Sequence, residues 1–432
     1  MRVLFLTHSL CGIDLAVIVK YQGHDVDVAI FNPLSKDIGN GFGVNKSIDY
    51  SQFVQRALQG DYDLVISDDV YMGKDSNLLR KNGVLVFGGS VDTDVWENNR
   101  FVGIEIMRQS GIEVPETVSF DSYSAAEAFL KERGGLWVLK GSGSEGLVKG
   151  KTVVPKTEEE LLWFVDAFKK ECDDAKVILQ CLLDGIEVAW SFWWNGDDVV
   201  GDAWMNFEHK RMFTGDMGPF CGEAGTMVVA IDADFIRERF RGLFSWLRSS
   251  GYRGIFDMNT IVTEDGRIYG LEFTPRMGFP IMQCIVRQLL YGGVEDVAEY
   301  IRSIASGEQV ECIDRSAAYG CVIGYFVRTD VGDLPVFWDG DEDVRELVLR
   351  YVGLDDVAWS AEFNCFVAVS GNKGDWYKRV VLPVGVASNY DKAIGRALRM
   401  ARRLRSTYGW YRTDIGLDRT RYEGVRSILG LQ

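Results

Sequence analysis

Two short apolar runs joined by a tight turn constrain the fold of this chain more than any other feature. The first run covers residues 254–258, the turn covers 263–266, and the second run leads into residues 272–280. The Asp-Gly pair in the turn supplies the positive φ angles that a tight turn needs, so the sequence predicts an antiparallel hairpin. Such a hairpin can bring the carboxylates of Asp257 and Glu272 to a single metal ion.

The second strand of the hairpin carries side chains suited to phosphate chemistry. Alternate residues of a strand share a face, so Glu272, Thr274 and Arg276 are expected to point the same way. A magnesium ion that bridges nucleotide phosphates takes hard oxygen ligands, and a transferring phosphoryl group suits a planar cationic guanidinium. A hairpin that exposes acids on its solvent face, without a ligand, is the alternative for these residues taken alone.

Size, composition and charge exclude several classes of protein. The chain has 432 residues, 47% apolar and 25% charged, which suits about two to four globular domains. No uninterrupted apolar stretch reaches the roughly 20 residues that span a bilayer, and the first apolar run is too short for a signal peptide. A net charge of -16 argues against binding of a nucleic-acid polymer, although a single nucleotide held by a few lysines is compatible with it.

The cysteines and histidines restrict the chemistry further. Eight cysteines are scattered without a Cys-x-x-Cys pair, which indicates reduced thiols and a cytoplasmic protein. Only three histidines are present, which disfavours a zinc site or a histidine-based catalytic triad. The expected partners are therefore small molecules, without a membrane or a nucleic-acid polymer, and the chain is expected to be a monomer or a homodimer.

The first 95 residues have the pattern of a small α/β unit. Apolar runs of strand length alternate with segments long enough for helices, at 3–6, 26–31, 64–67 and 84–87. This alternation predicts a parallel sheet with helices on its faces. The loop at 7–12 has a single glycine, so no dinucleotide fingerprint is present. His8 is a candidate substrate contact, but a histidine satisfied by its neighbours is favoured. The acids at the same edge, which could face a ligand or cap helices, are Asp68, Asp69, Asp92 and Asp94.

The middle of the chain contains a pattern suited to nucleotide binding. An apolar strand ends in Lys140, a glycine- and serine-rich loop follows at 141–146, and a second strand is predicted at 152–154. The backbone amides of such a loop can close over phosphates as a lid, with Lys140 and Lys151 neutralising the phosphate charge. A plain hairpin turn is the alternative.

The next apolar run, at 177–183, is a candidate for recognition of the base. Its backbone could read the edge of an adenine, and Glu187 could reach the ribose. An ordinary core strand is the alternative interpretation.

The order of these parts resembles the ATP-grasp fold, and more closely the glycinamide ribonucleotide synthetase family, also called phosphoribosylamine-glycine ligases. Residues 146–154 are similar to the family's lid, Gly-Leu-Ala-Ala-Gly-Lys-Gly-Val-Val. Residues 208–211 and 215–222 resemble its signature Asp-His-Lys-Arg…Gly-Asp-Thr-Gly-Pro-Asn-Thr-Gly-Gly-Met. Residues 411–416 resemble its closing Tyr-Arg-x-Asp-Ile-Gly, so the matches stand in the right order over roughly residues 90–416.

Three differences from the family pattern bear on the substrates. The family's opening Gly-x-Gly-Gly-Arg-Glu-His loop, which helps to hold phosphoribosylamine, is replaced by Thr-His-Ser-Leu-Cys-Gly-Ile-Asp at 7–14. The metal-binding Glu-Phe-Asn becomes Glu-Phe-Thr at 272–274, which exchanges an amide oxygen for a hydroxyl. Phe220 and Glu223 stand where the family has an asparagine and a glycine. The first change puts the usual amine in question, and the third is expected to reshape the pocket for the carboxylate.

The resemblance implies an ATP-dependent carboxylate-amine ligase. ATP would phosphorylate a carboxylate, and an amine would attack the resulting acyl phosphate to give an amide, ADP and phosphate. The implied cofactors are ATP and Mg2+ or Mn2+, with a metal site formed by Asp257, Glu272 and Thr274. The residues implied to bind the nucleotide are Lys140, Gly146, Lys151, Gln180, Leu183 and Glu187. The residues implied to be catalytic are Arg276, which would steady the phosphoryl group, Lys151, which would hold phosphate, and Lys210, Arg211 and Asp216, which would shape the acyl site.

The resemblance also implies three domains in an α/β architecture, an α+β composite. They are a Rossmann-like pre-ATP-grasp domain at 1–95, an ATP-grasp domain with its glycine-rich lid at 96–311, and a smaller α/β domain at 312–432. In the last of these, the sequence itself predicts strands within 318–326, 363–369 and 380–386 and an amphipathic helix at 392–405. The helix carries several arginines, for which a solvated face is favoured over an anionic partner.

Three interpretations of function stay open. The family reaction, with glycine or a similar amino acid as one substrate, would place the chain in purine biosynthesis. A divergent ATP-grasp ligase would use a different amine, such as a modified nucleoside or nucleotide. A non-catalytic nucleotide-binding protein is the third interpretation, and the intact set of charged residues given above argues against it.

Overall fold

Four β-sheets organise the chain in a computed structural model that describes residues 1–141, 152–369 and 376–431. The sheets have five, ten, four and four strands, and helices flank them. This mixture confirms the predicted α/β composite class. Within the described ranges, the helices are all too short or too polar to cross a membrane.

The N-terminal unit is a parallel sheet covered on both faces. Its strands are β1 (Arg2–Thr7), β2 (Asp25–Ile30), β3 (Asn45–Ser47), β4 (Leu64–Ser67) and β5 (Val86–Phe87), in the order β3-β2-β1-β4-β5. Helices α1 (Ile13–Tyr21), α2 (Tyr50–Leu58) and α3 (Gly73–Lys81) connect them. Val3 and Phe5 of β1 pack into one core cluster and Leu4 and Leu6 into another, because successive strand residues face opposite sides. The predicted parallel sheet is confirmed, although β3 lacks the apolar run that would have predicted it.

Two helices lead from this sheet into the rest of the chain, α4 (Val91–Asn98) and α5 (Arg100–Gln109). Ser90 caps α4, with its hydroxyl accepting from the amide of Thr93 at 3.1 Å. A side-chain acceptor at this position satisfies an amide that has no partner within the helix. The start of α4 is therefore fixed at the carboxyl edge of the parallel sheet.

A small antiparallel sheet follows. It is built from β6 (Thr117–Phe120), β7 (Trp137–Gly141), β8 (Thr152–Val153) and β9 (Val177–Cys181), in the order β6-β9-β7-β8. Helices α6 (Tyr123–Arg133) and α7 (Glu158–Glu171) contribute to the same hydrophobic cluster as these strands. Lys140 lies at the end of β7, as predicted. The remainder of the predicted lid, which includes Gly146 and Lys151, falls outside the described residues.

The large sheet begins with five antiparallel strands: β10 (Ile186–Trp194), β11 (Val199–Phe213), β12 (Met217–Ile231), β13 (Gly254–Val262) and β14 (Ile268–Thr274). Helices α8 (Ala233–Phe240) and α9 (Phe244–Ser250) precede β13, and α10 (Ile281–Tyr291) and α11 (Val297–Ser306) follow β14. The predicted hairpin is confirmed, since β13 pairs with β14 and the amide of Gly266, at φ +81°, donates to the carbonyl of Thr263 at 2.9 Å.

The C-terminal part extends the large sheet. Its strands are β15 (Tyr319–Ile323), β16 (Tyr325–Arg328), β17 (Pro335–Trp338), β18 (Val352–Leu354), β19 (Val357–Ser360), β20 (Cys365–Ala368), β21 (Tyr377–Ala387), β22 (Leu404–Arg405) and β23 (Gly409–Tyr411). Its helices are α12 (Val344–Arg350), α13 (Tyr390–Ala401) and α14 (Arg419–Leu429). The large sheet has the order β14-β13-β10-β11-β12-β15-β21-β16-β23, with β18 also paired to β21. The fourth sheet has the order β19-β20-β17-β22.

In the C-terminal part, the structure corrects the end of one predicted helix and leaves the predicted domain boundary untested. The amphipathic helix predicted at 392–405 ends at Ala401, because Leu404 and Arg405 pair with Trp338 and Phe337 in a strand. The proposed domain boundary at 312 lies between α11 and β15, and the large sheet crosses it through the pairing of β12 with β15. The division into three domains stays a prediction.

A buried ion pair ties the N-terminal unit to the C-terminal part. Arg287 of α10 is fully buried and pairs with Asp14 of α1, its Nη2 lying 2.9 Å from the carboxylate. The same Nη2 donates to the carbonyls of Val348 and Val352, at 2.5 and 2.6 Å. The Asp14 carboxylate also accepts from the amide of Leu354 at 3.0 Å. A single guanidinium therefore joins segments that are far apart in the chain.

Candidate active site

A cavity of about 830 Å³ lies between the small antiparallel sheet and one face of the large sheet. The small sheet contributes the ends of β7 and β9, and the large sheet contributes strands β10 to β14. Nine of the predicted site residues line this cavity: Lys140, Gln180, Leu183, Glu187, Lys210, Asp257, Glu272, Thr274 and Arg276. The structure thus brings together residues that lie up to 136 positions apart, from Lys140 to Arg276 (276 − 140).

The small sheet supplies a buried lysine. Lys140 is 8% exposed, and its Nζ donates to Oε1 of Gln180 at 2.7 Å. Gln180 in turn donates to the hydroxyl of Thr117 at 3.2 Å, which fixes the orientation of its amide. Burial, followed by the positive charge of Arg100, lowers the pKa of Lys140 to about 8. Among the residues that the structure describes, the uncharged Gln180 is the hydrogen-bond acceptor of this ammonium group.

The hairpin of β13 and β14 supplies the carboxylates. The register places Asp257 opposite Thr274 and Asn259 opposite Glu272. Asp257 is 4% exposed and accepts hydrogen bonds from the hydroxyl of Thr274, at 2.7 Å, and from the hydroxyl of Ser191. Burial raises the pKa of Asp257, although both hydroxyls counteract part of that effect.

Glu272 is held in its charged form. Its carboxylate lies 2.8 Å from the guanidinium of Arg100, at the first residue of α5. Burial opposes ionisation, but Arg100, Lys140 and Lys210 together lower the pKa of Glu272 below its ordinary value. A carboxylate surrounded by cations that can also bind phosphates is a suitable ligand for a divalent ion bridging those phosphates.

The oxygen ligands of the hairpin suit a magnesium ion that is bound together with nucleotide phosphates. No group of three His, Cys, Asp or Glu side chains in residues 1–141, 152–369 and 376–431 is arranged to hold a metal by itself. Magnesium bound together with nucleotide phosphates needs only one or two carboxylates, since phosphates and water fill the other positions. Glu272 and Asp257 fit that need, and the amide oxygen of Asn259, which has no hydrogen-bond partner in the described part of the chain, adds a further acceptor.

Arg276 joins the cavity to the edge of the N-terminal sheet. Its Nε donates to Oε1 of Glu97, on α4, at 3.2 Å. Burial disfavours the charged guanidinium, but Glu97, Cys11 and Asp69 outweigh burial and raise the pKa of Arg276. The guanidinium is therefore permanently charged and lies where the cavity meets the carboxyl ends of β1 and β4.

That edge of the N-terminal sheet is acidic and aromatic. The amide of Gly12 donates to Oδ2 of Asp68 at 2.6 Å, and burial raises the pKa of Asp68 to about 8. Ser9 donates to Asp69 at 2.6 Å. The ring of His8 lies beside two exposed aromatic rings, with centroids 5.7 Å from Phe31 and 5.2 Å from Tyr71. His8 therefore packs against two aromatic rings, and its role as a substrate contact stays a prediction.

Lys210 occupies the middle of the large sheet's face. Its ammonium group forms an ion pair with Glu187 and lies 3.3 Å from Oε2 of Glu208. Burial, chiefly, raises the pKa of Glu208 to about 7. The predicted ribose contact, Glu187, is thus paired with a lysine that was predicted for the acyl site.

Arg211 and Asp216 lie away from the cavity lining. Arg211 donates to the carbonyl of Gly218 at 2.8 Å and stacks over the ring of Phe220 at 4.5 Å. Asp216 is exposed and accepts from Nη1 of Arg412 at 2.7 Å. The buried Arg412 therefore stabilises the end of the β11-β12 hairpin. This contact joins the two motifs at 208–222 and 411–416, which are far apart in the sequence.

Several polar residues of the cavity carry no motif and were not predicted: Arg100, Asn206, Asn259 and Arg379. A sequence signal exists for two of them. Asn206 alternates with Glu208 and Lys210 on β11, and Asn259 lies two residues after Asp257 on β13, so strand alternation places them on the cavity face. Arg100 and Arg379 reach the cavity from outside its main strands, and no local pattern indicates them.

Comparisons with known proteins agree with this arrangement. Residues 99–280 match the protein family described as the phosphoribosylglycinamide synthetase ATP-grasp (A) domain. The phosphoribosylamine-glycine ligase of Listeria monocytogenes is 26% identical over 354 residues, which cover 78% of this chain and 80% of that protein.

Solved structures share the fold. The phosphoribosylamine-glycine ligase of Thermotoga maritima has a TM-score of 0.72 at 20% identity, covering 96% of this chain and 100% of that one. The biotin carboxylase domain of the Hydrogenobacter thermophilus 2-oxoglutarate carboxylase, solved with magnesium ADP and bicarbonate, has a TM-score of 0.64 at 13% identity, covering 98% of this chain and 96% of that one. The architecture around the cavity is therefore that of ATP-grasp proteins.

Proposed function

Since this chain is an ATP-grasp carboxylate-amine ligase most similar to phosphoribosylamine-glycine ligase, we propose that it joins glycine or a similar amino acid to an amine. The amino acid's carboxylate takes the terminal phosphoryl group of ATP, and the amine then displaces phosphate to form an amide. ADP and phosphate leave. The observation that carries this proposal is the single cavity that gathers Lys140, Glu272 and Arg276.

The nucleotide is assigned to the side of the cavity formed by the small sheet. Lys140 neutralises phosphate charge, helped by Lys151 and by the backbone at Gly146 of the lid. The hinge strand β9 and the turn after it hold the base and ribose, through Gln180, Leu183 and Glu187. This assignment is supported by the position of these residues on the cavity wall and by the hydrogen bond of Lys140 to the uncharged Gln180.

The metal is assigned to the hairpin of β13 and β14. Asp257 and Glu272 hold Mg2+ or Mn2+, with the hydroxyl oxygen of Thr274 as the third candidate ligand. A divalent ion there supplies charge neutralisation for the phosphates while the phosphoryl group transfers. The hydrogen bonds from Ser191 and Thr274 orient the Asp257 carboxylate, and Arg100 orients that of Glu272.

The remaining charged residues position the acyl group. Arg276 stabilises negative charge on the transferring phosphoryl group, since a guanidinium offers parallel N–H donors to phosphate oxygens. Lys210 faces the acyl phosphate from the opposite strand, while Arg211 and Asp216 support the hairpin that closes this side. No side chain is required as a general base, because an uncharged amine attacks without help. Exclusion of water from the cavity during the reaction would protect the acyl phosphate from hydrolysis.

The binding of ATP is expected to depend on pH through Lys140. Its pKa of about 8 means that the ammonium form is lost as the pH rises through 8, and only that form attracts phosphate. We expect the affinity for ATP to fall about tenfold between roughly pH 7 and pH 9.5. Calorimetric titration of ATP over this range measures the effect. The variant Lys140→Arg, which stays charged, is expected to give a flat profile, and an equally steep profile in that variant would remove Lys140 from the site.

The experiment that tests the proposed function is ADP release with magnesium ATP and glycine, with and without freshly prepared phosphoribosylamine. Mass spectrometry identifies the product. Glycinamide ribonucleotide is the product expected from the family reaction. Absence of any amino-acid-dependent ADP release, across glycine, alanine, serine and β-alanine, would contradict the proposal.

A different amine is the second candidate, and one observation favours it. The N-terminus of α1 follows a parallel strand, where an anionic phosphate commonly binds, yet the carboxylate of Asp68 already accepts from Gly12 there. Asp69 adds a second acid, and the exposed rings of Phe31 and Tyr71 flank His8. This edge suits a planar group better than a phosphate. Glycine-dependent ADP release that phosphoribosylamine neither increases nor diverts to a new product would support a different amine, such as a modified nucleoside.

A further inference from the structure

Two buried side-chain oxygens at the end of the cavity formed by β11 and β12 have no hydrogen-bond donor among the described residues. Glu223 is 6% exposed and Asn206 is 1% exposed, and both line the cavity. Oε1 of Glu223 and Oδ1 of Asn206 are buried and have no hydrogen-bond partner in the part of the chain that the structure describes. Glu208, also in the lining, lies between them in sequence. We call Asn206, Glu208 and Glu223 the acceptor end of the cavity.

The cations nearest to Glu223 are engaged elsewhere. Arg379 donates through Nε to Asp355 at 2.8 Å and through Nη1 to the backbone carbonyl of Glu223, not to its carboxylate. The face of the same guanidinium covers the ring of Phe279 at 4.4 Å. Lys210, the other cation of this region, is paired with Glu187 and Glu208.

A buried carboxyl oxygen without a donor is unfavourable unless a ligand supplies the donor. Burial, followed by the charge of Glu208, raises the pKa of Glu223. An anionic ligand group at this end would add a further negative charge beside two acids. A primary ammonium group instead offers three N–H donors to the unpartnered oxygens of Glu223 and Asn206, and its positive charge favours the ionised form of Glu223.

We propose that the acceptor end binds the primary ammonium group of the amino-acid substrate, with Glu223 as the residue that distinguishes amino acids from simple carboxylic acids. This assignment rests on the proposed ligase function. It gives the two ends of the cavity different charge preferences. The end near Arg276 and Lys140 takes phosphate and carboxylate, and the acceptor end takes the cation.

Binding without turnover tests the assignment. Calorimetric titration of glycine, alanine, serine and β-alanine into the wild-type protein identifies the amino acid that binds most tightly, and its desamino acid (acetate for glycine, propionate for alanine) is titrated in parallel. In Glu223→Gln we expect the affinity for the amino acid to fall about 10- to 100-fold, because an amide donates an N–H toward the ammonium group. The affinity for the desamino acid is expected to stay unchanged.

Two further variants separate charge from folding. Glu223→Asp keeps the charge on a shorter side chain and is expected to lose less affinity than Glu223→Gln. Glu264→Gln, at the exposed turn of the β13-β14 hairpin, is the matched control and is expected to behave as wild type. Thermal melting of all variants establishes that they are folded.

Three results would overturn the assignment. They are unchanged amino-acid affinity in Glu223→Gln, an equal loss for the amino acid and its desamino acid, and binding of methylamine that is as tight and as dependent on Glu223 as that of the amino acid. Tight, Glu223-dependent binding of methylamine would assign the acceptor end to the amine substrate. These titrations contain no ATP, so they measure binding independently of turnover. If the ligase function is wrong but the assignment holds, amino-acid binding will depend on Glu223 while the separate turnover assay shows no ADP release.

Discussion

Replacing Glu272 with alanine is expected to lower kcat/KM for ATP by at least about a thousandfold, equivalent to about 4 kcal/mol of transition-state stabilisation. The carboxylate is the candidate metal ligand whose charge is best maintained, since Arg100, Lys140 and Lys210 lower its pKa. Its removal takes away the candidate metal ligand and the negative charge that faces those cations. Steady-state ADP release measures the turnover, and titration with Mn2+ in the presence of a non-hydrolysable ATP analogue measures the metal affinity separately.

The control for this variant lies on the same hairpin. Glu264→Ala changes an exposed acid in the turn, outside the cavity lining, and is expected to leave turnover and metal affinity unchanged. Normal turnover in a folded Glu272→Ala protein would refute the metal role. Lost turnover with unchanged Mn2+ affinity would move the role of Glu272 from the metal to the orientation of Arg100.

Replacing Arg287 with alanine is expected to lower the free energy of unfolding by about 3–5 kcal/mol. The guanidinium is fully buried, and its removal leaves the carboxylate of Asp14, which is 2% exposed, without its charged partner. The carbonyls of Val348 and Val352 also lose their shared donor. Urea denaturation followed by tryptophan fluorescence measures the change.

A second ion pair provides the comparison. Arg302 pairs with Glu299 on the surface of α11 at 2.6 Å, and Arg302→Ala is expected to cost less than about 1 kcal/mol because solvent screens the pair. The double variant Asp14→Leu with Arg287→Met should lose less stability than Arg287→Ala, since it leaves no buried charge without a partner. An Arg287→Ala protein as stable as Arg302→Ala would contradict the buried-pair argument.

The sequence predicted the hairpin of the site because its determinants are local. An Asp-Gly turn between apolar runs specifies β13 and β14, and the charged residues at 257–276 mark the chemistry. The register of β13 against β14, in contrast, depends on contacts beyond the hairpin. Asn259, and not Asp257, lies opposite Glu272, and an irregularity follows directly after Asn259. Only the whole sheet fixes such a register.

Some residues complete the site from distant parts of the sequence, and local sequence patterns could not predict them. Arg100 reaches Glu272 from the start of α5, and Glu97 reaches Arg276 from α4, although 179 residues separate Glu97 from its partner. The predicted helix at 392–405 failed at its end for a similar reason. Leu404 continues the helical stripe in sequence, but its pairing with Trp338 in the fourth sheet overrides that preference.

The pairing of β12 with β15 has a consequence for how this chain can be divided. Gly225 to Val229 exchange backbone hydrogen bonds with Tyr319 to Ile323, so the large sheet has no free edge at β12. A fragment ending near residue 311 would expose that edge as a row of unpaired amides and carbonyls, a template for addition of strands from other molecules. The C-terminal part therefore also protects the large sheet against aggregation, and expression of a fragment that ends near residue 311 is disfavoured.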